Sequence, residues 1–293
     1  MISRPVREST MTEIELSAGT IEYVDSGSGP ALLLLHGLMM DASLWDGTIE
    51  NLAADHRLVA PTLPLGAHRH AMRTGADLSL PAVAALVEEL MDRLDLRDVT
   101  VVGNDTGGAL TQLLMVQNTP RLARVALVSC DAFDNFPPGL TGRTLFLAGK
   151  LSPRMFRLFM QQMRVKAIRR LPIAFGHLTR YGDAATMRWI QPTIHRNDIC
   201  RDTVAVLRSA AADTALLLEA ASGLPAFDRP ALIVWASEDR VMPPDHGPRL
   251  AQLLPRGRLT QIMDSYTLIP LDQPAQLASL LRQFVRESGP DEA

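Results

Sequence analysis

The chain has 293 residues, 47% of them hydrophobic, and a formal net charge of -3. That length suits one large domain or a core with an insertion, and the near balance of charge gives no reason to expect a nucleic-acid partner. Two cysteines, Cys130 and Cys200, are too few for a disulfide framework and read as free thiols.

Residues 1–8 lack the apolar core of a secretion signal. The apolar run Ala31–Leu35 has the length of a strand and falls far short of a membrane span. A cytoplasmic protein with no membrane partner is expected. Residues 13–25 alternate around Gly19 and predict a hairpin, and 31–35 a buried strand. A helix over 44–54 and a short strand over 57–60 follow. Ser79-Leu80-Pro81 opens a helix with a capping hydroxyl and an early proline. Its apolar positions Val83, Leu86, Val87, Leu90 and Leu94 recur at helical spacing.

Val99-Thr100-Val101-Val102 reads as a buried parallel strand. It runs into Gly103-Asn104-Asp105-Thr106-Gly107-Gly108 and then a helical stretch, 109–116. A strand-turn-helix elbow of this kind strains the backbone of its central residue and needs small neighbours, which the glycines supply. The amide N–H groups of the helix start then face Asp105 and favour its ionised form. Asp105 is therefore the first candidate for a reactive group.

Further strands are predicted over 124–128, 231–235 and 259–263. From 136 to 225 the strand pattern stops, and the composition turns helical between Pro137-Pro138 and Gly223-Leu224-Pro225. Strands alternating with helices imply an α/β fold with a mostly parallel, doubly covered sheet. The expected organisation is a core from 1–135 and 226–293 with a helical cap at 136–225. In the cap Met155, Phe156, Phe159, Met160 and Met163 lie at helical spacing. Such a stripe belongs mainly to a core, with about a third of it available to face a pocket. The basic run 164–170 reads as a solvated helix face.

With these elements in place the chain resembles the α/β-hydrolase family over nearly its whole length. Leu34-Leu35-His36-Gly37-Leu38 is similar to that family's oxyanion loop, and Gly103-Asn104-Asp105-Thr106-Gly107 to its nucleophile elbow. Trp235-Ala236-Ser237-Glu238-Asp239 with Val241-Met242-Pro243 resembles the loop that carries the acid, and 264–270 the loop that carries the histidine. The elbow aspartate points to the haloalkane dehalogenase-like and epoxide hydrolase-like branch. The resemblance implies an eight-stranded sheet, Asp105 as nucleophile, Asp239 as acid, and an oxyanion hole from the N–H groups of Leu38 and Thr106. His36 is expected to order its loop. His36, Gly37, Asn104, Thr267, Trp189 and Tyr181 are the expected substrate-side residues.

Two features depart from the family. Tyr266-Thr267 stands where relatives read Gly-His, with Pro270 and Asp272-Gln273-Pro274 fixing the register. A threonine hydroxyl is no general base near neutrality. Thr106 stands where dehalogenase-like relatives place a halide-binding tryptophan, leaving Trp189 as the substitute, and Tyr181 is the one cap tyrosine for epoxide activation. An alternative acid position holds Asp131 and Asp134, both read first as turn or capping residues. His68, His70, His177, His195 and His246 are read as solvent-facing or structural, with His246 near the surface. Three functions stay open: a hydrolase of small, mainly apolar molecules, a lyase, isomerase or cyclase with Asp105 as proton shuttle, and a ligand-binding protein. No cofactor and no metal spacing is expected, and the state is monomer or homodimer.

Overall fold

The computed structural model describes residues 10–288. Eight strands form one sheet in the order β1-β2-β4-β3-β5-β6-β7-β8. β1 (Thr10–Leu16) and β2 (Gly19–Gly27) form the hairpin around Gly19, and β2 continues antiparallel to β4 (Arg57–Pro61). β3 (Ala31–Leu35), β5 (Val99–Asp105), β6 (Leu122–Cys130), β7 (Ala231–Ala236) and β8 (Gly257–Ile262) run parallel to their neighbours.

The apolar continuity of the central strands has a simple cause: helices cover both of their faces. Every residue of β5 and β7 is buried, and Leu32, Leu33, Leu34 and Leu35 are wholly inaccessible. Burial of each such leucine contributes about 1.5–3 kcal/mol. Helices α1 (Asp46–Leu52), α2 (Leu80–Arg93) and α3 (Thr106–Val116) belong to the first part of the sheet. Ser79 caps α2 by accepting from the Ala82 N–H, with proline in the first turn, as the sequence predicts. The predicted helix over 44–54 divides into a 3-10 turn, Ala42–Trp45, and α1, because Asp41 caps the turn by accepting from the Ser43 N–H.

Between β6 and β7 the chain is helical: α4 (Gly139–Gly149), α5 (Pro153–Gln161), α6 (Lys166–Arg169), α7 (Asp183–Trp189), α8 (Gln191–His195), α9 (Asn197–Ala212) and α10 (Leu216–Gly223). α11 (His246–Leu253), α12 (Ile269–Asp272) and α13 (Pro274–Glu287) complete the fold. The basic run differs from its expected solvated face at one residue. Arg169 is buried, donates to the carbonyls of Met163 and Arg164, and pairs with Asp183 at 2.9 Å. Among the described residues no helix is long and apolar enough to cross a membrane. Both cysteines are free and buried.

Candidate active site

Asp105 is the last residue of β5 and the cap of α3, with φ 56° and ψ -128°. This left-handed conformation is costly for a residue with a side chain and persists only where its surroundings enforce it. The chain turns here without space to spare: a Cβ on Gly107 would sit 2.1 Å from the Leu35 carbonyl oxygen. The turn directs the carboxylate back over the start of α3. The Thr106 N–H donates to Oδ1 at 2.7 Å and the Thr106 hydroxyl lies 3.0 Å from the same oxygen. The Leu38 N–H lies close enough to this carboxylate to lower its proton affinity.

The loop after β3 holds Leu38 in place. His36 is fully buried, its Nδ1–H donates to the Gly37 carbonyl, and its Nε2 accepts from the Leu63 N–H, each at 2.8 Å. Burial pushes its pKa down to about 4, so the ring stays neutral and orders the loop. Gly37 leaves room for the Asp105 carboxylate: a Cβ there would lie 2.1 Å from Asp105 Oδ1. Gly37→Ala is expected to drive the carboxylate off its N–H donors. The overpacking cost is about 1–3 kcal/mol. Thermal denaturation should detect it, together with loss of Asp105 reactivity toward the alkylating probe described below. An unchanged melting temperature with full reactivity contradicts this packing.

Asp239 follows β7. Its Oδ1 accepts from the Val241 and Met242 N–H groups at 2.9 and 2.8 Å, and from the Thr267 hydroxyl at 2.8 Å. Its Oδ2 is buried with no protein partner. Asn104 is also fully buried and donates to the carbonyls of Val128, Ser129 and Thr267. It ties the loop of Thr267 to the ends of β5 and β6 and does not border the cavity described below, in contrast to the substrate contact expected of it.

Asp131 joins the site. It is fully buried just beyond β6, and its Oδ2 lies 2.9 Å from the Thr106 hydroxyl oxygen. This corrects its reading as a turn residue, whereas Asp134 has a largely exposed side chain. The signal was an aspartate at the alternative acid position. The reason it enters the site is a register shift: Asn104 pairs with Val128 but Asp105 pairs with Cys130. Skipping Ser129 exchanges which side chains face inward.

Two buried carboxyl groups, Asp105 and Asp131, and the partly buried Asp239 thus share one region. Burial raises Asp105 from 3.8 to about 6, outweighing the donors from Thr106 and Leu38, with the charge of Asp239 adding to it. Burial, and then the Asp105 charge, hold Asp131 well above the usual carboxylate range. Burial also raises Asp239, against its Met242, Val241 and Thr267 donors.

A mainly apolar cavity of about 60 Å³ begins at Leu38 and Met39 and is otherwise lined from the helical segment, including Leu145, Phe159, Met160, Met163 and Phe175. Asp105 is 5% exposed and is not among the residues that line this cavity; Leu38, whose backbone neighbours the Asp105 carboxylate, is. The predicted Met/Phe stripe therefore divides. Phe159, Met160 and Met163 line the cavity, Phe156 is core, and Met155 is half exposed. The segment is fixed to the Thr267 loop where the Leu268 N–H donates to the Leu178 carbonyl and Asp272 accepts from Thr179 and the Arg180 N–H.

None of the six expected substrate-side residues, His36, Gly37, Asn104, Thr267, Trp189 and Tyr181, is among those that line this cavity. Trp189 is wholly buried behind the cavity wall, and its indole N–H is spent on the Ser43 hydroxyl at 2.9 Å. Tyr181 is 65% exposed and stands beside Arg180. Among the described residues no histidine is hydrogen-bonded to Asp105, Asp131 or Asp239. His68 is buried beside Asp202 and His195 is bonded to Gln191. His246 is buried against Phe133, in contrast to its expected place near the surface.

A family model described as alpha/beta hydrolase fold matches residues 30–274. The chain belongs to the α/β-hydrolase family. It is 27% identical over 270 residues to haloalkane dehalogenase 2 of Mycobacterium tuberculosis, covering 90% of this chain and 91% of that one. It is 28% identical over 274 residues to the pimeloyl-[acyl-carrier protein] methyl ester esterase of Nitrosomonas europaea, covering 91% of this chain and 97% of that one. The structure of the epoxide hydrolase CorEH has a TM-score of 0.77 at 18% identity, covering 96% of this chain and 99% of that one. The two relatives are named a dehalogenase and an esterase, and the likeness to the epoxide hydrolase structure is one of fold.

Proposed function

We propose that this protein acts on a small, mainly apolar organic molecule through the carboxylate of Asp105, beneath a helical cap formed by 136–225. One observation carries the reading: a carboxylate held at a strained elbow, accepting from the Thr106 N–H at 2.7 Å, with Leu38 between it and the apolar cavity that Leu38 helps to line. An aspartate oxygen attacks an sp³ carbon, the leaving group departs with its bonding pair, and an alkyl ester forms. The N–H groups of Thr106 and Leu38 hold the other oxygen and stabilise the charge that collects there on any later attack.

The second half of hydrolysis needs a base to take a proton from water. Thr267 occupies the place beside Asp239 where a histidine would stand, and its hydroxyl does not serve. The alkyl ester is therefore expected to persist. Incubation with a primary alkyl bromide or a terminal epoxide, followed by intact-mass and peptide mass spectrometry, tests this. A stable adduct mapped to Asp105 is the expected result. Steady release of alcohol or diol without an adduct contradicts the blocked second step. The absence of both removes the nucleophilic reading.

A second reading has its own support. The Asp105 carboxyl, raised to about 6, titrates close to neutrality, which suits a general base or acid. In a lyase, isomerase or cyclase it would shuttle a proton, and the two N–H donors would stabilise an enolate. A ligand-binding protein without chemistry is the outcome if no substrate-derived change appears in either test.

A further inference from the structure

Asp131 takes no part in the chemistry above, yet one hydroxyl joins it to Asp105. Thr106 Oγ1 lies 3.0 Å from Asp105 Oδ1 and 2.9 Å from Asp131 Oδ2. A threonine hydroxyl carries a single proton and donates to one of these oxygens. The other short contact requires a proton from the carboxyl side, since two bare oxygens at this distance repel. The available donors decide which carboxyl supplies it. Asp105 Oδ1 also accepts from the Thr106 N–H at 2.7 Å, and the nearby Leu38 N–H further favours its ionised form. Asp131 Oδ2 has the Thr106 contact alone, and Asp131 Oδ1 is buried with no protein partner. An ionised group so poorly served is costly to bury.

We propose that Asp131 is the proton reservoir of this site, and that the Thr106 hydroxyl relays its proton to Asp105 Oδ1. In the transfer, the Asp131 Oδ2–H bond breaks as a bond to Thr106 Oγ1 forms. The original Thr106 O–H proton passes to Asp105 Oδ1. Asp131 ends as the carboxylate, and the threonine is regenerated. The use of this proton rests on the reading of Asp105 as the reactive group. Oδ1 is the oxygen on which negative charge collects when an ester at the other oxygen is attacked.

The titratable groups facing Asp131 agree with this. They are Asp105 on β5 and Cys130, the last residue of β6, and Asp239 beyond β7 acts on Cys130 beside it. All are acidic, and burial itself holds the Asp131 proton on. From α3, Gln112 donates to the Asp131 backbone carbonyl at 2.7 Å and leaves the carboxyl alone.

The test is a pH titration of protein labelled with 13C at the aspartate carboxyls, followed by NMR. One carboxyl is expected to remain protonated through neutrality, and its signal is expected to be lost in Asp131→Asn. The asparagine still donates a hydrogen bond to Thr106 Oγ1, so the packing stays while the transferable proton is gone. In Thr106→Val the Asp105 midpoint is expected to rise by about one unit through loss of the hydroxyl donor, and Thr106→Ser restores it. An Asp131 signal that is ionised at neutral pH overturns the relay, even if Asp105 is alkylated in the same protein. A protonated, Thr106-coupled Asp131 in a protein whose Asp105 never reacts supports the relay and removes the nucleophilic reading instead.

Discussion

Asp105→Asn is expected to abolish alkylation by the halide or epoxide probe and, above neutrality, to make the protein more stable. The first effect follows because an amide oxygen is a poor nucleophile and cannot form the ester. The second follows from the carboxyl's titration. Its folded pKa, about 6, lies above its ordinary 3.8, so the folded state holds its proton more tightly than the unfolded chain. The associated stability is complete below about pH 4, falls as pH rises through about 6, and is absent above that. The span of about two pKa units corresponds to no more than ~3 kcal/mol. Asparagine is neutral throughout, tolerates a positive φ, and keeps an oxygen for the Thr106 and Leu38 donors. Urea unfolding of both proteins across this range should give curves that coincide near pH 4 and separate above pH 6. A difference independent of pH contradicts the burial of an ionised Asp105, and retained alkylation moves the chemistry elsewhere.

Thr267→His is the converse experiment and is expected to create turnover. The Thr267 hydroxyl donates to Asp239 Oδ1 at 2.8 Å. An imidazole Nδ1–H from the same backbone position would take that acceptor and leave Nε2 free to accept a proton from water. A positioned general base contributes about 10²–10⁴-fold. In the variant the alkyl adduct on Asp105 should cease to accumulate, and alcohol should appear in its place. Thr267 is wholly buried, so the larger ring costs roughly 1–3 kcal/mol of packing, which circular dichroism during melting would register. A folded variant that still accumulates the adduct shows that this loop does not aim at the elbow.

Much of the fold was legible because its signals are local. β-branched and leucine runs of strand length marked the sheet, and Gly103, Gly107 and Gly108 around Asp105 marked the elbow. Ser79 and Pro81 marked the start of α2. The anchoring roles of other residues were not. Asn104 was read as a pocket residue, but its amide spans three carbonyls from two distant parts of the chain. His246 begins α11 as its neighbours imply, yet the ring turns inward against Phe133. A polar side chain in a loop carries no sign of which way it points until its partners are in place.

The sequence by itself determined the parallel architecture, the elbow aspartate, and the threonine that stands in the loop of the expected base. Each rests on residue type and spacing within one segment, where backbone sterics and hydrophobic periodicity act directly. Tertiary structure decided that Asp131 enters the site and Asp134 does not, that Trp189 and Tyr181 do not line the cavity, and that three of the five residues of the Met/Phe stripe do. Those outcomes depend on a one-residue register shift opposite Asp105 and on helices brought together from distant parts of the chain. Burial and proton affinity are set by such neighbours, and no single segment contains them.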